Sequence, residues 1–299
     1  MATPAAKPIR PLKGIRILSL CLNLPGPVAL ARLHSMGAWC LKLEPPIADN
    51  GGGSDPMRSY SPAVYQTLHA GIHVRSADLK QAKGQQQLHK ALARADVLLT
   101  SFRPVALQRL GLGWRTLHRQ YPKLSMVSIV GASGHRADEP GHDLTYLAEH
   151  HLLDALDLPA TLYADMAGAL VACEAVLQAV LLRQSTGKVC RQEVALCDAA
   201  AHLALPRSWG LTSPGTALSG AHAGYRLYPC ADGRIAMAAL EPHFAKALCE
   251  AAALTWRGPA MMFEANVHAQ IAAFLALKNC AVLSQLASAC DIPLHALPD

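Results

Sequence analysis

Ile15-Arg16-Ile17-Leu18-Ser19-Leu20-Cys21-Leu22, then Pro25-Gly26-Pro27 opening an apolar run to Met36, then Cys40-Leu41-Lys42-Leu43, is the stretch that decides the fold. A short apolar run bounded by turn residues reads as a buried strand, and a proline-led start before a 3.6-residue apolar period reads as a helix. Strand, helix and strand in so short a span make one crossover unit. The alternation continues with a helix over Lys83–Arg94, a strand over Val97–Thr100, a short helix over Val105–Leu110 and a strand over Ser125–Val130. This order predicts an α/β domain over residues 1–220, with a mostly parallel sheet and its sites at the carboxyl ends of the strands. From Gly220 the pattern changes. Gly224–Pro229 and Ile235–Ala239 read as strands about the turn Ala231-Asp232-Gly233-Arg234, and helices follow near His243–Ala253, Val267–Leu277 and Val282–Ala289. A smaller α+β domain over residues 221–299 is the expectation.

Composition narrows the function. Of 299 residues, 52% are hydrophobic and 16% charged, a balance that suits a packed globular chain and not a disordered one. A formal net charge of +6 favours an anionic ligand. Arg58, Arg75, Lys80, Lys83 and Lys90 are nevertheless scattered, without the stripe that binding nucleic acid needs, so no nucleic-acid partner is expected. Met1-Ala2-Thr3-Pro4-Ala5-Ala6 lacks the apolar core of a secretory signal. The apolar run Ala167–Leu182 is interrupted by Glu174 and Gln178, so no membrane span is expected either. The nine cysteines show no CxxC spacing; Cys21, Cys40, Cys173, Cys197 and Cys249 lie in apolar patterns and read as reduced core residues of a cytoplasmic protein. The loop Asp49–Ser54 offers amides to a phosphate but lacks P-loop spacing, and reads first as a surface turn. Gly111-Leu112-Gly113 follows a helix and lacks the third glycine of a dinucleotide fingerprint, which excludes nicotinamide binding there.

Chemistry gathers in two runs, Gly141-His142-Asp143-Leu144-Thr145-Tyr146 and Leu162-Tyr163-Ala164-Asp165-Met166-Ala167-Gly168. Each sets a titratable group at the mouth of a predicted helix, and two such bases are what moving a weakly acidic proton requires. The small residues Ala164, Ala167 and Gly168 allow close approach, and first-turn amides favour an anion. The same residues also read as an ordinary helix N-cap at Asp165 and an ordinary histidine at His142.

These runs stand among Pro11-Leu12-Lys13-Gly14, Leu41-Lys42-Leu43-Glu44, Phe102-Arg103-Pro104, Arg109-Leu110-Gly111-Leu112-Gly113, Arg183-Gln184-Ser185-Thr186-Gly187-Lys188 and Leu240-Glu241-Pro242. In that order they resemble the class III CoA-transferase superfamily and, within it, the alpha-methylacyl-CoA racemase branch. The resemblance implies a Rossmann-like large domain, a smaller α+β domain, and two ring-like chains interlocked as a dimer. It implies His142 and Asp165 as opposed bases and Glu241 as the partner of the histidine, racemising alpha-substituted (2-methyl-branched) acyl-CoA thioesters. No metal and no cofactor are then needed beyond the CoA carried by the substrate. Arg103, Arg75 and Lys42 are the implied CoA contacts.

Three departures temper this. Gly71-Ile72-His73-Val74-Arg75 stands where the family carries Gly-Lys-Arg, the loop Gly131–Arg136 is short, and the chain stops at Leu297-Pro298-Asp299, where the family's return to the large domain begins. One alternative is a class III CoA-transferase working through Asp165. Another is a noncatalytic subunit, completed by a homologous chain or by a second copy of itself.

Overall fold

Neighbouring residues of a strand point to opposite faces of its sheet, and in this chain both faces are apolar. Ile17, Val97, Leu99 and Val127 pack into one core, while Leu18, Leu98 and Met126 pack into another. A sheet of that kind must be covered on both sides. The computed structural model describes residues 9–47 and 54–298. They fall into two compact units, the first ending at Ala204 and the second beginning at Leu205.

The first unit runs β1 (Arg16–Ser19), α1 (Pro25–Ser35), β2 (Trp39–Glu44), α2 (Met57–Tyr60), α3 (Pro62–Leu68), β3 (His73–Ser76), α4 (Ala82–Leu92) and β4 (Val97–Thr100). It continues through α5 (Pro104–Arg109), α6 (Trp114–Gln120), β5 (Ser125–Val130), α7 (Asp143–Glu149), α8 (Tyr163–Thr186), β6 (Arg191–Ala195) and α9 (Leu196–Leu203). The sheet order is β3-β2-β1-β4-β5-β6. Every pair is parallel, with Ile17 of β1 opposite Cys40 on one side and Val97 on the other. The order turns back between β1 and β4, which makes this a doubly wound sheet with its switch point there. The parallel α/β architecture expected from the sequence is therefore the one observed. His73–Ser76, to which the sequence reading gave no strand, is the edge strand β3.

Helix α8 packs on α1 and α9 and buries Ala164, Ala169, Ala172, Cys173 and Val176. With 24 residues and a mean hydropathy of 1.7 it is long and apolar enough to cross a membrane, although the sequence reading expected no such segment. Half of its apolar window is buried inside the unit, and Glu174 and Gln178 lie on its exposed face. Its packing is that of a core helix.

The second unit runs α10 (Leu205–Ser208), β7 (Tyr225–Cys230), β8 (Gly233–Ala238), α11 (Pro242–Ala251), α12 (Ala265–Ala276), α13 (Cys280–Cys290) and β9 (Leu294–Pro298). Its sheet is antiparallel, in the order β7-β8-β9. Tyr228, Ile235, Met237, Leu248, Ile271 and Leu283 share its core. Residues 294–298, where the resemblance puts the start of a return segment, pair with β8 so that Ile235 faces Ala296.

Candidate active site

Ligands of an open α/β sheet bind beyond the carboxyl ends of its strands, at the switch point. A cleft of about 270 Å³ lies there in the first unit. Asn23 and Pro25 wall it beyond β1, Phe102 and Arg103 beyond β4, and Gly131 beyond β5, while the starts of α7 and α8 bring in His142, Tyr146 and Asp165. His142, Asp165 and Arg103, which the sequence singled out separately, thus share one cleft. The Asp49–Ser54 loop lies outside the described residues except for Ser54.

Asp165 is the third residue of α8 and only 8% exposed. Burial, and then the neighbouring Asp143 carboxylate, push its carboxyl up from 3.8 to about 6, with His142 pulling the other way. Asp165 is not the cap of its helix. That role falls to Asp143, whose Oδ1 accepts the Asp165 backbone N–H at 2.9 Å. One first-turn amide of α8 is therefore already committed, and does not point free into the cleft. Asp143, itself buried, is the contributor that sequence reasoning missed. It was visible beside His142, but an acid in the first turn of its own helix gives no sign that it serves another helix.

His142 precedes the first turn of α7. Its amide donates to Thr145 Oγ1 at 3.1 Å, and that hydroxyl donates in turn to the His142 carbonyl at 2.7 Å. The backbone is fixed by these bonds while the side chain lines the cleft. Tyr146, one turn on, is 6% exposed, and its phenol is raised first by burial and then by Asp165. A methyl group at Gly131 or Gly141 would stand 2.4 or 2.6 Å from the Tyr146 hydroxyl oxygen, so both positions must stay glycine for the ring to fit. The sequence quoted Tyr146 in the motif without giving it a role.

Arg75 and Lys42 do not line this cleft. Arg75 lines a separate groove, with Arg16, Lys90 and Arg94, between the sheet and α4. Lys42 is 0% exposed. Its ammonium pairs with Asp55, lies 3.2 Å from Glu44 Oε2, and donates to His69 Nε2 at 2.9 Å. His69 Nδ1 donates to the Tyr65 carbonyl at 2.7 Å, and burial holds this imidazole below its ordinary pKa. Asp55 Oδ1 accepts the Asn23 and Met57 amides, both at 2.9 Å. Lys42 thus connects to the cleft wall through Asp55 and the backbone of Asn23. Glu241 belongs to the second unit, exposed, just before the Pro242 that opens α11. Neither set of potential metal ligands among the described residues includes His142 or Asp165.

A doubly wound sheet with a carboxylate and an imidazole at its switch point defines a class of ligand-binding α/β unit equipped for nucleophilic or acid–base chemistry. The chain belongs to CoA-transferase family III, matched over residues 12–298. It is 30% identical over 216 residues to a probable fatty acyl-CoA transferase of Mycobacterium tuberculosis, covering 67% of this chain and 54% of that protein. It is also 30% identical over 251 residues to human alpha-methylacyl-CoA racemase, covering 78% of this chain and 62% of the racemase. The chain therefore spans little more than half the length of these relatives. A crystal structure of the same Mycobacterium tuberculosis protein superposes with a TM-score of 0.80 at 26% identity, covering 96% of this chain and 84% of that one.

Proposed function

We propose that the chain moves CoA between carboxylic acids through Asp165. The observation that carries this is the buried Asp165 carboxyl in the switch-point cleft, with Arg103 on the same wall. With a pKa of about 6, Asp165 is mostly ionised at neutral pH and serves as a nucleophile. Its oxygen attacks the thioester carbonyl, a C–O bond forms, the C–S bond breaks, and a mixed anhydride and CoA thiolate result. The thiolate then attacks the Asp165 carbonyl, releasing the first acid and leaving an aspartyl-CoA thioester. An acceptor carboxylate reverses both steps. Arg103 supplies positive charge where the anionic substrate enters. The likeness to a probable fatty acyl-CoA transferase supports this choice.

A second reading rests on His142. An imidazole and a carboxyl with a pKa near 6 in one cleft also suit removal and return of the proton alpha to a thioester, which is racemisation. The likeness to human alpha-methylacyl-CoA racemase favours it. Short, long, 2-methyl-branched and aryl acyl-CoAs, incubated in deuterated water with and without free carboxylates, separate the two. Acceptor-dependent transfer with a CoA adduct on Asp165 is the expected result. Alpha-deuterium incorporation without any acceptor would replace transfer by racemisation, and neither reaction would defeat both. Glu241→Gln in the same assay tests the role that the resemblance gives that residue.

A further inference from the structure

Three potential ligands that have no role assigned so far converge in the second unit. Cys230 ends β7, Asp232 stands in the turn before β8, and Cys280 opens α13. The two Sγ atoms are 3.5 Å apart. Cys230 Sγ lies 3.8 Å from Asp232 Oδ1, and the Cys280 amide donates to that same oxygen at 2.6 Å. A tetrahedral Zn²⁺, with bonds of about 2.3 Å to sulfur and about 2.0–2.2 Å to a carboxylate oxygen, spaces two sulfurs by about 3.8 Å and a sulfur and an oxygen by about 3.5 Å. The spacings found agree to a few tenths of an ångström. All three ligand atoms lie within 4.8 Å of one another.

Charge points the same way. No ion pair among the described residues includes Asp232. Lys278, close by in sequence, holds its ammonium 4.4 Å from the centre of the Phe274 ring. The amino end of α13 adds partial positive charge behind the Cys280 sulfur, which favours thiolate once its proton is displaced. Glu149, His150 and Cys197 also converge, but Arg136 grips Glu149 there with bonds of 2.7 and 3.0 Å. Only the cluster in the second unit lacks such a cation.

We propose that Cys230, Asp232 and Cys280 bind one Zn²⁺, with water as fourth ligand, and that the ion staples the β7–β8 turn to the start of α13. Two S–H bonds break, two Zn–S bonds form, and two protons pass to solvent; no electrons move. Affinity consequently rises with pH. The soft thiolates favour Zn²⁺ over Mg²⁺ or Ca²⁺.

The full chain, reduced with a phosphine and stripped by a chelator, is titrated with Co²⁺ as a spectroscopic stand-in and then with Zn²⁺. One equivalent of Co²⁺ should bring up thiolate-to-cobalt charge transfer with tetrahedral d–d bands, and Zn²⁺ should bleach them. Cys230→Ser and Cys280→Ser should each weaken binding by at least about 100-fold and Asp232→Asn by about 10-fold, with circular dichroism checking the fold. Cys197→Ser should leave the equivalent in place. Binding that survives both cysteine variants in the second unit, or no binding by wild type with all thiols titratable, overturns the site. So does a Cys230–Cys280 disulfide that forms in air despite saturating Zn²⁺.

Discussion

Burial lifts the Asp165 pKa from 3.8 to about 6, so between those values the folded chain keeps a proton that the unfolded chain releases. Stability from this group therefore falls as pH rises through that window, by roughly 3 kcal/mol once it is passed. Asp165→Asn should abolish turnover yet stabilise the protein near neutral pH by about 1–3 kcal/mol, as read by urea unfolding. A destabilised variant would contradict the picture of a charge held against its surroundings. Activity that needs the carboxylate should rise with pH through about 6. Asp143→Asn keeps an oxygen for the Asp165 amide but removes the negative neighbour, so the acid limb of the kcat/KM profile should move to lower pH. Lys42 shows where residue-level reading fails. Its partners lie 13 and 27 positions along the chain at Asp55 and His69, and a single sequence does not reveal such a pairing. A lysine that the resemblance makes a CoA contact is buried. Glu44 keeps Arg58 at 2.7 Å, but Lys42→Met leaves Asp55 as an uncompensated buried charge, and should cost about 3–5 kcal/mol in urea unfolding. Loss of CoA affinity in that variant without loss of stability would restore it to the site.

Elements were legible where burial is two-sided. Strands β1, β2, β4 and β5 lie inside the sheet and read as largely apolar runs, β2 interrupted by the buried Lys42, whereas the edge strands β3 and β6 expose His73, Arg75, Arg191 and Glu193 and carry no such run. Edge position, not weak pairing, hid them. Helix α1 was legible from its prolines, but the glycine between them has a reason visible only in three dimensions. A methyl group on Gly26 would stand 2.1 Å from Cys21 Cβ and 2.6 Å from its Sγ, at the turn from β1 into α1. Gly26→Ala must push apart two buried backbones next to the cleft, and should destabilise the protein by about 1–3 kcal/mol in thermal or urea unfolding. Unchanged stability would mean that this turn relaxes freely.

At the scale of the molecule, the sequence located the cleft because the α/β alternation implies where an open sheet binds its ligands. Of the cations it named, Arg103 walls that cleft and Arg75 and Lys42 do not. Arg103 leaves β4 toward the switch point and walls the cleft with Asp165; Arg75 lies on β3 in the groove under α4. A guanidinium contact to a phosphate or thioester oxygen is a charge-assisted bond of about 1.5–3 kcal/mol, or roughly 10- to 150-fold in affinity. Arg103→Ala should therefore raise KM for an acyl-CoA by about that factor while changing kcat little, since the charge it offers binds without reacting. Arg75→Ala should change KM less than about threefold on the same argument. Steady-state kinetics of the two variants decide between the surfaces. Equal losses would put the groove under α4 on the path of the CoA, and a loss at Arg75 alone would move the CoA out of the Arg103 cleft altogether.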